Sequence, residues 1–204
     1  MYLYLILALI CGYLIGNFSP SYLSVKIFKH DDIRDYGSGN AGATNAIRVL
    51  GFKTGLVVFI LDMLKGAGAV LAGKMIAGDL GLVIGALGVV LGHNFPVLLG
   101  FRGGKGVAAT GGIILAISPQ SFLVIAVVFL LILATTRIVS LASIVIGILI
   151  PFTLYYFQLP SQVVILGIIL CAFILLRHHS NIRRLIDGNE SKLNLKLSTK
   201  PERN

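Results

Sequence analysis

Charge is scarce in this sequence. Only 12% of its 204 residues are charged while 56% are hydrophobic, and mean hydropathy is +0.93, so a water-soluble fold would lack polar residues to cover its surface. Cysteine is scarce as well. Cys11 and Cys171 both sit in apolar runs as small hydrophobes, and no metal-ligand spacing exists, so neither a metal site nor a cofactor is expected. There is no basic strip interleaved with aromatics, so the net charge of +9 does not point to nucleic acid. No linker or low-complexity tract divides the chain, which predicts one domain over 1–204 with 191–204 as a flexible basic tail. The first apolar run has no basic stretch ahead of it and reads as a retained span, not a cleaved leader.

What fills the chain instead is a series of apolar runs, roughly Tyr2 to Ile27, Leu56 to Gly78, Leu80 to Gly100, Gly106 to Ser118, Gln120 to Thr135, Ile138 to Phe157 and Ser161 to Leu176. Their lengths predict an all-α, polytopic membrane bundle of seven transmembrane helices. Fusing Gly106 to Thr135 into one helix kinked at Pro119 would give six. Basic residues decide between the two counts. With seven spans and the N-terminus outside, all of the 17 lysines and arginines except Lys65 and Lys74 fall on or beside one face, which the positive-inside bias makes cytoplasmic, C-terminus included. Small-xxx-small pairs at Gly12 and Gly16, Gly81 and Gly85, and Gly88 and Gly92 predict close helix packing. Asp62 and Lys65, three apart inside a span, share a face and are expected to pair as a structural element that fixes the bundle, with direct substrate contact as the alternative; either turns them inward.

Three polar islands interrupt the apolar pattern. The first, Tyr36 to Arg48, carries three glycines with Ser38, Asn40, Thr44 and Asn45 as hydroxyl and amide donors, a composition suited to an anion. The second, Gly100 to Val107, sets glycines around Lys105 just before a helix, so that Gly103, Gly104, Lys105 and Gly106 resemble a phosphate cradle. It is not a Walker loop, because Leu99 stands at the first glycine position and Gly106 at the magnesium-binding one. Ahead of it, His93 and Asn94 place a polar pair near the end of a span, which reads as packing. The third, Arg177 to Glu190, follows the last run; His178 and Asn181 share a helical face, and Arg183 and Arg184 suit anionic lipid. By parity all three islands converge on one face.

Taken together, Gly37 to Asn45, Gly103 to Gly106 and His178 to Leu185 resemble the motifs of the bacterial acylphosphate:glycerol-3-phosphate acyltransferases, the PlsY family, and the resemblance runs through most of the chain. It implies transfer of a fatty acyl group from acyl phosphate to the 1-hydroxyl of glycerol 3-phosphate, giving lysophosphatidic acid and phosphate in a bacterial cell membrane. It implicates Ser38, Arg48, His178 and Asn181 in activity, Gly103 to Gly106 with Lys105 in glycerol 3-phosphate binding, and Glu190 in integrity. A peripheral enzyme that makes acyl phosphate is the partner this pathway logic suggests, beside membrane lipid. Two rival readings come from the residues themselves. A small organophosphate transporter would suit glycine-rich helices with Asp62 and Lys65 inside the membrane, although the islands gather at one face and no inverted repeat is evident. His30 and Asp35 also spell the H-x4-D of soluble-type glycerolipid acyltransferases, with nothing downstream to support it.

Overall fold

The computed structural model describes residues 1–193; most of the expected basic tail, from 194 onward, lies outside the described residues. Helix α1 spans Tyr2–Asn17, α2 Pro20–Lys29, α3 Ala43–Leu50, α4 Phe52–Asn94, α5 Val107–Ile117, α6 Pro119–Thr136, α7 Val139–Tyr156, α8 Ser161–Arg177 and α9 His179–Ile186, with single 3-10 turns at Ile33–Asp35 and Val97–Leu99. Among the described residues there are no strands.

The predicted first span is broken. Phe18 is extended, and the Ser19 side chain caps α2 by accepting from Tyr22 N with Pro20 at the first helical position, the local chemistry of a new helix start. The carbonyls freed at this break are met from elsewhere. Lys65 Nζ donates to Phe18 O at 2.8 Å and Gly16 O at 3.4 Å while pairing with Asp62 Oδ1 at 2.8 Å. Both charges are buried, at 7% and 2% exposure, so each needs the other.

Helix α4 is a hairpin of two arms, 52–76 and 79–94. Ala77 and Gly78 leave helical geometry, and Gly78 takes a φ of 64° that only glycine adopts freely. A Cβ on Gly81 would overlap the Gly73 carbonyl oxygen, and one on Gly85 the Ala69 carbonyl oxygen, so the arms touch backbone to backbone. The glycine pairs of the sequence serve α1 in the same way: Gly12 meets Gly85, Gly16 meets Val89 and Gly92, and Gly88 meets Leu9 and Tyr13. On the other side, Gly66 and Gly112 let α5 press on the first arm, against Ala109 and Met63. This is packing by small residues, as expected where lipid supplies no hydrophobic drive. The fused α5–α6 helix does not form. Ser118 is extended and its side chain caps α6 over Ser121 N, with Pro119 at the first position.

By length and apolar composition, four stretches can cross a membrane: Tyr2–Lys29, Phe52–Leu99, Pro119–Thr136 and Val139–Tyr156; a fifth arises if α8 and α9, bent by 62°, are one span. The count differs from seven for three reasons. Two predicted runs are continuous in α4, the 11 residues of α5 reach about 16 Å, half the hydrocarbon thickness, and α8, at 17 residues, qualifies only together with α9. A second apolar cluster, with Val25, Ile33, Tyr36, Ala46, Val49 and Leu99 at its centre, seats α2, α3 and the loop between them at the end of the bundle. Gly85→Leu should therefore destabilise the bundle by about 1–3 kcal/mol through overpacking, read as a lower thermal midpoint in detergent, whereas Leu at exposed Met75 should not.

Candidate active site

All three polar islands border one cavity of about 150 Å³. From the first come Ser38, Asn40, Thr44, Asn45 and Arg48; from the second Lys105 and Gly106; from the third His178, Asn181, Arg184 and Glu190. Asp62 and His93 form part of the wall from α4, and Phe59, Val107, Phe129 and Val139 give it an apolar side.

The first island is shaped by Asn45. Its Oδ1 accepts from Ser38 N at 3.0 Å, and its Nδ2 donates to Ile33 O at 3.1 Å and Tyr36 O at 3.0 Å. Asn45 is 1% exposed, so this amide is spent on the turn and not on a ligand. Asn40 Nδ2 likewise donates to Ser38 O at 2.9 Å. The Ser38 hydroxyl accepts from Asn40 Nδ2 at 3.4 Å; Ser38 and Arg48 both line the cavity, and Arg48 Nη2 donates to Ser191 Oγ at 3.0 Å.

The second island departs from a simple cradle. Gly103 N donates to Asn94 O at 3.2 Å and Gly104 N to His93 O at 3.1 Å, so the backbone amides of these two glycines are already committed. Their carbonyls are held too: Arg177 Nε and Nη2 donate to Gly104 O at 3.2 and 3.1 Å, and Nη2 to Gly103 O at 3.4 Å. Neither glycine lines the cavity. A Cβ on Gly104 would overlap His93 Nε2 and stand 2.8 Å from Ala41 O. These glycines are needed for close packing, and what they present to the cavity is Lys105 and Gly106. Arg177, which the sequence offered only as one more basic residue, is the clamp of this loop.

Lys105 is the cation that the loop delivers. Its ammonium donates to Asn181 Oδ1. Asn181 is turned that way because its Nδ2 donates to Glu190 Oε1 at 2.7 Å. Glu190 also accepts from Ser140 Oγ at 2.8 Å and from Arg184 Nε at 2.7 Å. Burial pushes the Glu190 carboxyl up, but the hydrogen bonds from Asn181, Ser140 and Arg184 outweigh it and hold the group below the usual carboxylate range. Burial pulls Lys105 down to about 8; Glu190 opposes this, while Arg184, Arg177 and Arg48 add to it. His178 Nδ1 lies 2.8 Å from Ile174 O, a contact that places the proton on Nδ1 and leaves Nε2 as the acceptor in the neutral ring. Ser140, Ser143 and Ser191 also line the cavity; nothing local in the sequence marks them, and Ser140 and Ser191 are tied to the site by long-range contacts with Glu190 and Arg48.

A second, polar cavity of about 420 Å³ lies beyond the glycine loop, lined by Asp32, Arg34, Asp35, Arg102 and Arg177 among others. His30 borders neither cavity. It is an exposed residue ending α2 at a φ of 54°, so the H-x4-D spacing is not assembled into a site with the other islands.

Fold and cavity define a helical membrane protein with a cationic pocket that has one apolar wall. A family model for glycerol-3-phosphate acyltransferase matches residues 6–188. The glycerol-3-phosphate acyltransferase of Thermoanaerobacter sp. (strain X514) is 43% identical over 198 residues, covering 97% of this chain and 100% of its own. Glycerol-3-phosphate acyltransferase 2 of Bacillus anthracis is 43% identical over 189 residues, with 92% and 98% covered. Crystal structures of PlsY (YgiH), an integral membrane glycerol 3-phosphate acyltransferase, share the fold. Its glycerol 3-phosphate form gives a TM-score of 0.88 at 40% identity, covering 93% of this chain and 96% of that one. Its lysophosphatidic acid form gives 0.86 at 38%, covering 94% and 96%. The chain belongs to the glycerol-3-phosphate acyltransferase family. Gly104→Ala should lower acyltransferase turnover by on the order of tenfold or more, because the new methyl must displace His93 or Ala41; a turnover assay on purified, folded variant checks this.

Proposed function

We propose that this protein transfers a fatty acyl group from acyl phosphate to the 1-hydroxyl of glycerol 3-phosphate, releasing lysophosphatidic acid and phosphate. The observation that carries the reading is the cavity itself, which is lined both by Arg48, Lys105, Arg184 and Asn181 and by Phe59, Phe129 and Val139. Phosphates suit the first group and an acyl chain the second. Arg48 can fork two phosphate oxygens, whereas Lys105 acts as a point charge beside them. Gly106, at the start of α5, adds the helix N-terminus to the anion's surroundings.

The transfer is a single step. Acyl phosphate is already activated, so alignment and anion stabilisation carry most of the acceleration, and the hydroxyl proton ends on the departing phosphate. Ser38 positions the substrates, with His178 and Asn181 around the phosphate. A covalent acyl-Ser38 would need a base beside its hydroxyl, and the neighbour of that hydroxyl is the Asn40 amide, which donates to Ser38 Oγ at 3.4 Å and is no base. The topology we favour counts the hairpin α4 as two crossings, the bent α8–α9 pair as one and the short α5, together with the loop ahead of it, as another, giving seven with the N-terminus outside; the basic residues and the cavity mouth then lie at the cytoplasmic face of a bacterial cell membrane. A peripheral acyl-phosphate synthase would then deliver the donor on that side.

Purified protein in lipid should acylate glycerol 3-phosphate with acyl phosphate as sole donor. Ser38→Ala and Lys105→Ala should each lose at least on the order of 100-fold in kcat/KM; turnover with acyl-CoA alone would overturn the donor assignment. Lys105 loses its charge as pH rises through about 8, so kcat/KM for glycerol 3-phosphate should fall above that pH. The alkaline limb should vanish in Lys105→Arg, whose charge persists.

A further inference from the structure

We infer that Ser191 is a further binding residue of the cavity, its hydroxyl donating to the phosphate group that Arg48 holds; the assignment rests on the acyl transfer proposed above. Ser191 lies outside the three islands and follows the last helix, yet its place is fixed from both sides. The chain turns at Gly188, which takes a φ of 70°, while Gly188 N and Asn189 N meet the carbonyls of Leu185 and Arg184 at 3.2 and 2.8 Å. Glu190, its side chain only 5% exposed, is then held by Ser140 of α7 and by Asn181 and Arg184 of α9. Two residues past Ser191, Leu193 N donates to Arg137 O at 2.7 Å. A segment pinned at both ends needs little further ordering when one of its side chains meets a ligand.

Within that segment Ser191 is exposed and lines the cavity, so it stands at the rim. Its Oγ accepts from Arg48 Nη2 at 3.0 Å. A guanidinium offers no acceptor in return, so the serine proton points elsewhere. Among the described residues no hydrogen bond takes it up. The two protons of Nη2 diverge in the plane of the guanidinium. An acceptor on the second therefore lies about 5 Å from Oγ, a gap that one edge of a phosphate closes to hydrogen-bond distance.

Arg48 and Ser191 thus form a clip of two donors. The guanidinium supplies charge, and the hydroxyl decides which way the phosphate faces. Lys105, in the same lining, adds a point charge without that direction. A contact of this kind is present in the bound substrate and persists through the transition state, so its loss raises KM and leaves kcat. Both substrates of the proposed reaction carry a phosphate, and the measurement distinguishes them.

The test measures kcat and the KM values for acyl phosphate and glycerol 3-phosphate in wild type, Ser191→Ala and Ser191→Thr. Ser191→Ala should raise one of the two KM values at least about threefold with kcat kept within about twofold. Ser191→Thr, which keeps the hydroxyl, should stay within about twofold of wild type. The KM that rises identifies the substrate whose phosphate the clip holds. The inference is overturned if neither KM rises that far, if kcat falls in step, or if Ser191→Thr is as impaired as Ser191→Ala. A second measurement separates this contact from mere support of Arg48: calorimetric binding of glycerol 3-phosphate, and of dodecyl phosphate as a stable stand-in for the donor, to Arg48→Ala with and without Ser191→Ala. A further loss of at least about threefold in affinity for one ligand is expected; no further loss for either would make Ser191 a brace for Arg48 and overturn the inference. Binding needs no turnover, so a wild type that acylates nothing removes the proposed reaction while this comparison still decides Ser191.

Discussion

A helix that ends inside a membrane must find partners for the carbonyls it exposes, and here Lys65 meets that constraint. Its ammonium bridges Asp62 and the carbonyls of Gly16 and Phe18. The break it stabilises lets the chain turn into α2 and lay the Ser38–Arg48 segment across the end of the bundle. The same ion pair anchors Asp62, which forms part of the cavity wall. Removing either charge would leave the other buried alone, a far greater cost than the pair itself. Scaffold and site are therefore coupled through two side chains one helical turn apart.

Within the site, orientation runs through a short chain of polar contacts. Glu190 fixes Asn181, Asn181 turns its oxygen to Lys105, and Arg177 holds the loop that presents Lys105. A carboxylate among Arg48, Lys105 and Arg184 keeps four charged groups compatible in a partly dry space. The chain also explains why an acidic residue belongs in a pocket built for anions: it sets the direction of the donors without occupying the centre.

The three islands were legible because polarity is conspicuous in an apolar chain; that they meet in one cavity is a tertiary fact, and the count of seven spans used to bring them together differs from the four or five stretches able to cross a membrane. The glycine pairs were equally readable, since backbone contact requires them in lipid. The broken α1 was not seen, although Ser19 and Pro20 carry the signature of a helix start; the surrounding hydrophobicity masked it. Nor could the sequence separate Gly103 and Gly104, which pack, from Lys105 and Gly106, which line the cavity. That distinction depends on where His93, Asn94 and Arg177 arrive, and those contacts are tertiary. Ser140 and Ser191 escaped for the same reason.

The apolar wall of Phe59, Phe129 and Val139 changes what concentration means for this protein. Phe59 lines the cavity yet is 38% exposed, and it belongs to Phe52–Leu99, a stretch apolar enough to cross a membrane. A ligand with a long tail would arrive from the hydrocarbon phase, so its occupancy would follow its mole fraction in the bilayer, whereas a small anion would obey its molarity in water. Two ligands of one pocket would thus answer to different solvents. Apparent affinity for the tailed one would shift with the ratio of lipid to protein, even when nothing about the pocket had changed.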